Sequence, residues 1–135
     1  MAGGSEIVVT LPGGRRIDAQ VGKHLVRTDQ PVDNGGEDTA PSPFQLFLSA
    51  IGTCAGIFVQ GFCAKRGLPT EGITIRQTMR YAEDGVLAGV DLDIQVPPSF
   101  PEKYREALVR VADQCSVKKA VQAQPAFAVR TVVAG

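Results

Sequence analysis

The sequence predicts a single α+β domain, residues 1–135, in which antiparallel sheets are wrapped around one buried central helix. Three observations support this class: short β-prone runs between glycine turns near the N-terminus, one long apolar run without a breaker, and two alternating runs flanking a tight turn. A chain of 135 residues with 44% hydrophobic residues has the size of one ordinary domain. It can bury a core without disulfides or metal ions to hold it together.

The N-terminal part is predicted to be an antiparallel ribbon followed by a loop. Residues 6–10, 15–21 and 24–29 are β-prone, and they are separated by Leu-Pro-Gly-Gly and by a turn at Gly22. Residues 30–43 are rich in Pro, Asp, Asn, Gly, Thr and Ser, which favour turns over sheet pairing. This segment is therefore expected to be a loop that ends at a helix start.

The central helix is predicted to cover residues 44–66. Ser42 can cap it, Pro43 suits the first turn, and Gly67 supplies the stop. The run is apolar nearly all round, so we expect it to be buried, in preference to a membrane span of similar length. Small or weakly polar residues form a narrow stripe along it, on which another helix could approach closely: Gln45, Ser49, Gly52, Thr53, Gly56 and Gln60.

The C-terminal half is predicted to contain a hairpin, two helices and a strand. Residues 73–82 and 86–96 alternate in polarity around Asp84-Gly85, a favoured hairpin turn. Ser99 and Glu102 form a candidate capping box for a helix that runs to about Ala112. Cys115 is then expected to open a brief third helix, and residues 128–133 to form a closing strand.

Charge and composition narrow the range of partners. The 14 basic and 14 acidic residues cancel without long runs of one sign, which argues against nucleic-acid binding and favours small molecules or other protein chains. The first residues lack the basic start and apolar run of a secretory signal, so we expect a cytoplasmic protein. One histidine, and cysteines without close paired spacing, argue against a metal site, and we expect no cofactor.

The cysteines are the residues with the most obvious chemistry. In a reducing compartment three of them are too few for a disulfide framework, so any pairing would be transient, catalytic or sensing. On one unbroken helix Cys54 and Cys63 would be about 13 to 14 Å apart along the axis and on opposite sides, beyond the reach of a disulfide. This leaves Cys115 as the intrachain partner of Cys54, with Cys63 as a packing residue.

Two segments resemble the motifs of a known family. Residues 40–54, APSPFQLFLSAIGTC, preceded by Gly-Gly-Glu-Asp, are similar to the loop and central helix of the OsmC/Ohr family, and residues 112–119 are similar to its second cysteine motif. The resemblance implies an OsmC-like fold, an intertwined homodimer with active sites at the subunit interface, and thiol-dependent reduction of organic hydroperoxides. It also implies that Cys54 attacks the peroxide, that Cys115 resolves the product, and that a dithiol reductant, of unknown identity, regenerates both.

One position departs from the family pattern. A glutamate commonly follows the proline that opens the helix and holds an arginine that activates the thiolate, but this chain has Phe44 there. An apolar helix would raise the pKa of Cys54, so we expect a cation nearby. The candidates lie in the N-terminal ribbon, and we favour Arg27 and then Arg15. Cys115, at a helix start, is expected to be a good leaving thiol.

Three functions stay open from the sequence. The first is a thiol peroxidase acting in oxidative-stress defence. The second is a module of the same fold that binds a small hydrophobic ligand or senses redox state without efficient turnover, which the phenylalanine at the glutamate position favours. The third is a hydrolase or transferase with Cys54 as nucleophile, for which the sequence offers no evident base.

Overall fold

A computed structural model describes residues 5–135 and contains two antiparallel sheets and three α-helices. The chain divides into two compact units, residues 1–49 and 50–135, with the central helix running across the division. The elements are β1 (Val8–Gly13), β2 (Arg16–Val21), β3 (His24–Thr28), α1 (Pro43–Lys65), β4 (Thr74–Tyr81), β5 (Leu87–Gln95), α2 (Arg105–Ala112) and α3 (Ser116–Gln122). The predicted α+β class is confirmed.

The first unit contains a three-stranded sheet in the order β1-β2-β3, as the N-terminal ribbon predicts. Its register pairs Val9 with Ala19 and Asp18 with Arg27. The sequence places the first turn at Leu-Pro-Gly-Gly, whereas β1 continues to Gly13 and Arg15 lies in the turn itself. Proline is tolerated inside β1 because this is an edge strand, where a missing N–H costs no ladder bond.

The loop between β3 and α1 is organised by a buried carboxylate. Asp29 is only 1% exposed, and its oxygens accept hydrogen bonds from the backbone N–H groups of Gln30, Glu37 and Thr39 and from the Thr39 hydroxyl. These bonds lower the pKa of Asp29 to about 2, the Thr39 hydroxyl contributing most. Gly36 is required here, because a Cβ at this position would collide with the Gln30 carbonyl oxygen.

Both predicted ends of α1 are confirmed. At the start, the Gln45 N–H donates to the Ser42 hydroxyl at 3.3 Å while the Gln45 side chain accepts from the Ser42 N–H at 3.0 Å, which is a reciprocal capping box. At the end, Gly67 adopts a left-handed φ of 63°, and the Leu68 N–H donates to the Cys63 carbonyl at 2.9 Å.

The core of the second unit lies between α1, α2 and the β4–β5 hairpin. Its buried residues include Ala55, Val59, Phe62 and Cys63 of α1 with Leu108 and Ala112 of α2. Alternate residues of the hairpin pack against them, among them Ile75, Leu92 and Ile94. The predicted hairpin is confirmed: Ile75 pairs with Ile94, and Gly85 takes a φ of 84° in the turn.

The helix α1 is buried on one side only, which corrects the expectation of burial all round. Thr53, Ile57, Gln60 and Ala64 follow one another along an exposed face, and Ile57 is 66% exposed. By length and composition α1 could cross a membrane. Its opposite face nevertheless packs into the core described above, which is the behaviour of a core helix of a soluble protein.

Two local predictions in the C-terminal part are wrong. A single 3-10 turn, Glu102–Tyr104, precedes α2, and it starts after Pro101 without a side-chain cap, so Ser99 forms no capping box. Residues 128–133 form no strand, and Phe127 and Val129 are 89% and 97% exposed. A β-prone segment becomes a strand only where another strand pairs with it, and within the described residues this segment has no such neighbour.

Candidate active site: a pair of cysteines

Two elements of the second unit place Cys54 and Cys115 together. Cys54 lies near the middle of α1 and is partly buried, whereas Cys115 is the N-cap residue of α3 and is 2% exposed. The Cys115 thiol is near enough to Cys54 to lower its pKa, and all three cysteines of the chain are free. The structure therefore brings the two predicted site cysteines together in their reduced form.

The Cys115 sulfur is fixed by hydrogen bonds to both neighbouring helices. It accepts from the Lys118 N–H at 3.4 Å, which caps α3, and its thiol donates to the Ile51 carbonyl of α1 at 3.8 Å. The side chains of Lys118 and Asp113 form an ion pair that spans this cysteine. The start of α3 is consequently tied to the turn of α1 that carries Cys54.

Hydrogen-bond donors lower the pKa of Cys54. The largest contribution comes from the Val117 N–H, followed by the Cys115 thiol, and the Ser116 N–H adds to them. Partial burial acts in the opposite direction but does not prevail. The sequence predicts a raised pKa for Cys54 that only a nearby cation could offset. The structure corrects this, because uncharged hydrogen-bond donors of the second unit already lower the pKa of Cys54.

Burial raises the pKa of Cys115, and its hydrogen bond to Cys54 raises it as well. The N–H groups of Lys118 and Val117 act against this but are weaker. The expected low pKa at a helix start is therefore wrong for this residue. Desolvation of the almost completely buried sulfur raises the pKa more than the N–H groups of the first turn of α3 lower it. Of the two thiols, Cys54 therefore has the lower pKa.

Cys63 behaves as the packing residue that helix geometry predicts. It is 0% exposed, it belongs to the same buried cluster as Leu108 and Ala112, and burial raises its pKa despite the charge of Arg66. The helix between Cys54 and Cys63 is unbroken, so their separation along its axis is about 13 to 14 Å. An intrachain disulfide between them is excluded in this fold.

The candidate arginines and the residue at the glutamate position belong to the first unit. Arg27 is exposed on β3, and Arg15 lies in the turn before β2. Phe44 is 48% exposed, and its ring stacks at a tilt on Phe47 with centroids 5.7 Å apart. Activation of a thiolate by Arg27 or Arg15 stays a prediction.

Sequence reasoning missed the backbone amides of Ser116 and Val117 as partners of Cys54. A cysteine placed directly before a short helix was the available signal, because the first N–H groups of a helix lack intrahelical acceptors. The first unit also contains a cavity of about 430 Å³ that was not foreseen, lined by Asp38, Thr39, Ala40, Pro41, Gln45 and Ser49. Across residues 5–135, no group of three or more His, Cys, Asp or Glu side chains could hold a metal ion.

The fold and the site together define a class: an α+β protein with antiparallel sheets, a long central helix and a thiol pair joining that helix to a later short one. Residues 35–130 match the family model described as OsmC-like protein. The chain belongs to the OsmC-like family. No curated protein matches the sequence.

Solved structures share this fold at low sequence identity. A candidate osmotic stress induced and detoxification response protein from Psychrobacter arcticus 273-4 is 23% identical with a TM-score of 0.73, covering 89% of this chain and 90% of its own. An OsmC like protein from Mycoplasma pneumoniae is 15% identical with a TM-score of 0.69, covering 92% and 91%. The organic hydroperoxide resistance protein OhrB of Bacillus subtilis is 22% identical with a TM-score of 0.54, covering 89% and 93%.

Proposed function

We propose that this protein is a cysteine-based peroxidase that reduces organic hydroperoxides and contributes to defence against peroxide stress. The observation that supports the proposal most is the asymmetric thiol pair, in which hydrogen-bond donors lower the pKa of Cys54 while burial raises the pKa of Cys115. Peroxide reduction needs a thiolate to attack and a second thiol to resolve. Similarity to hydroperoxide resistance proteins of the same fold agrees with this chemistry.

The reaction would proceed in two balanced steps and a regeneration. The Cys54 thiolate attacks one oxygen of the hydroperoxide, an S–O bond forms as the O–O bond breaks, and the alkoxide takes a proton from water to leave as an alcohol. Cys115 then attacks the sulfenic sulfur, an S–S bond forms, and hydroxide leaves with the Cys115 proton as water. A dithiol reductant finally exchanges with the disulfide and restores both thiols.

The departure at Phe44 bears on how the thiolate is favoured. A phenyl ring cannot hold an arginine in place as a carboxylate does. On our proposal the amides of Ser116 and Val117 and the Cys115 thiol supply part of that stabilisation from the second unit. Arg27, with Arg15 as the second choice, is proposed to add a positive charge.

The proposal is tested by steady-state turnover of an organic hydroperoxide with a dithiol reductant. We expect Cys54→Ser and Cys115→Ser each to abolish turnover, and Cys63→Ala, a matched control in the buried core, to retain it. Arg27→Ala is expected to lower the rate, and an unchanged rate would transfer the role to Arg15. Normal turnover in either serine variant would reject the mechanism.

Peptide mapping gives a second readout of the same proposal. After one equivalent of hydroperoxide we expect Cys54 linked to Cys115 and Cys63 free, because Cys63 is completely buried. A Cys63 disulfide as the main product would contradict the assignment. We further propose that the protein works in the reducing cytoplasm, where such a disulfide is transient.

A second candidate function is binding of a small hydrophobic ligand, or redox sensing, without efficient turnover. The exposed, stacked pair Phe44 and Phe47 favours it, since Phe44 occupies the position at which the family motif commonly has a glutamate. A Cys54 that is readily oxidised once but is not regenerated by any dithiol would favour sensing over the peroxidase.

A further inference from the structure

The short helix α3 and the segment after it are weakly packed. None of the 7 residues of α3 is buried, and two of them, Val117 and Lys118, are half-buried. Residues 123–135 are exposed and adopt neither helix nor strand. Isolated helices shorter than about 12 to 15 residues are marginal in water, so α3 depends on the contacts that hold its first turn.

The Cys115 side chain holds that first turn. As the N-cap of α3, its sulfur accepts the Lys118 N–H at 3.4 Å, and its thiol donates to the Ile51 carbonyl of α1 at 3.8 Å. The ion pair of Lys118 and Asp113 lies beside it but is open to solvent, and exposed pairs contribute little to stability. Because Cys115 is 2% exposed, it is the buried attachment point of α3.

Both contacts of Cys115 depend on its being a free thiol. All three cysteines are free in this structure, which therefore represents the capped state. A disulfide has no S–H group, so its formation would end the donation to the Ile51 carbonyl. It would also require the sulfurs of Cys54 and Cys115 to approach to about 2.05 Å. Cys54 lies in the middle of a helix of 23 residues and Cys115 precedes one of 7, so we expect the Cys115 side to move.

We propose that the cysteine pair is also a redox-sensitive switch: a disulfide between Cys54 and Cys115 removes the N-cap of α3, and α3 then opens together with residues 123–135. This inference rests on the proposed disulfide and deepens it by giving the resolving step a conformational consequence. The two thiols give two electrons and two protons to the hydroperoxide, which becomes an alcohol and water as one S–S bond forms. Reduction by a dithiol restores the free thiol and, with it, the cap and the helix.

Trypsin is a direct probe of this opening, because α3 contains the adjacent lysines Lys118 and Lys119. Cleavage after either lysine needs a locally unfolded backbone, so its rate follows the population of opened α3. Cleavage after Arg110 in α2, which is packed into the core through Leu108, is the internal reference for a folded chain. Cleavage after Arg130, in the exposed segment, is the reference for protease activity.

The full chain is compared in its reduced form and after treatment with diamide. Diamide takes two electrons and two protons from a pair of thiols, so disulfide formation does not depend on whether hydroperoxides are substrates. Excess diamide is removed before trypsin is added, and peptide mapping establishes whether Cys54 is linked to Cys115.

We expect the linked native chain to be cleaved in α3 about five- to tenfold faster than the reduced chain, which is the factor that an N-cap contributes to a helix. Cys115→Ala, which lacks the cap, should be cleaved equally fast without diamide. Cys115→Ser keeps an acceptor and a donor and should be as slow as the reduced native chain. Cys54→Ser keeps the Cys115 cap but cannot form the disulfide, so diamide should not accelerate its cleavage. Cleavage after Arg110 should stay slow throughout.

Four results would overturn the inference. A linked native chain that is cleaved in α3 as slowly as the reduced chain would overturn the switch alone and leave the peroxidase intact. Failure of diamide to link Cys54 to Cys115 would overturn both the switch and the resolving step of the proposed function. Cys115→Ala as slow as Cys115→Ser would show that this side chain does not hold α3. Faster cleavage of Cys54→Ser after diamide would assign the effect to a different oxidation. If Cys115→Ala is also cleaved rapidly after Arg110, the comparison of the reduced and linked native chains decides.

Discussion

At the scale of single residues, Asp29 shows how one carboxylate can fix a loop of a dozen residues. Its pKa of about 2 lies below the ordinary value of 3.8, so the folded state binds its proton more weakly than the unfolded state. Its stabilising contribution is therefore complete above about pH 4 and is lost as the pH falls toward about 2.

Asp29→Asn is expected to lower the thermal midpoint at neutral pH, because an amide nitrogen would face N–H donors that now meet a carboxylate. The difference from the native chain should shrink as the pH falls from about 4 to about 2, where the native carboxyl also loses its charge. Circular dichroism melts across this range provide the measurement. Asp33→Asn, at an exposed position of the same loop, is the control, and a difference independent of pH would contradict the account.

Residue identities predicted the cysteine pair but not its electrostatics. Helix periodicity excluded Cys63 as the partner of Cys54, because nine residues of any regular helix give a fixed separation. The order of the two pKa values could not be predicted in this way. It depends on how deeply Cys115 is buried and on which amides meet Cys54, and both are set by tertiary packing.

At the scale of elements, the sequence predicted a stripe of small residues on α1 but not the strand that lies against part of it. Gly52 and Gly56 lie against Gln77 and Ile75 of β4, so a strand occupies part of the surface where we expected a helix. Periodicity shows which side of a helix carries the small residues, but it does not show which element packs against that side. For the same reason β-propensity alone predicted a closing strand that finds no partner strand among residues 5–135.

The same substitution is expected to have different effects on stability at Gly52 and Gly56. A Cβ at position 56 would lie 3.8 Å from Ile75, which is an ordinary van der Waals contact. Gly56→Ala should therefore raise the free energy of unfolding by about 0.5 to 1 kcal/mol, because alanine has the higher helix propensity. A Cβ at position 52 would lie close enough to the Gln77 Oε1 atom to force that side chain aside, which offsets the gain. Chemical denaturation compares the two variants.

The close contact at Gly52 can be relieved from the strand side. In a Gln77→Ala background, Gly52→Ala should give a more favourable change in the free energy of unfolding than it gives in the native chain. A double-mutant cycle measures this difference. If Gly52→Ala proves as stabilising as Gly56→Ala in the native chain, β4 does not approach α1 as closely as described.

At the scale of the whole molecule, α1 presents an exposed face. Thr53, Ile57, Gln60 and Ala64 recur at helical spacing, and this face combines small side chains with one large apolar residue. Small side chains let another helix approach closely, and such a contact would remove the apolar Ile57 side chain from water, so we expect an interface with another chain. A second copy of this chain fits the closed symmetry that most soluble oligomers adopt.

We therefore expect light scattering at micromolar concentration to give twice the 14.3 kDa mass of the chain. Ile57→Lys should shift the mass toward the monomer, because a buried ammonium at the centre of the interface would lose its hydration without a partner charge. Val109→Lys is the matched control, since Val109 is similarly exposed, at 62% against 66%, but lies on α2. A monomeric mass for the native chain would contradict the dimer. A dimer unaffected by Ile57→Lys would place the interface elsewhere, because an α1 face in contact with its copy cannot accept a charge there without loss of affinity.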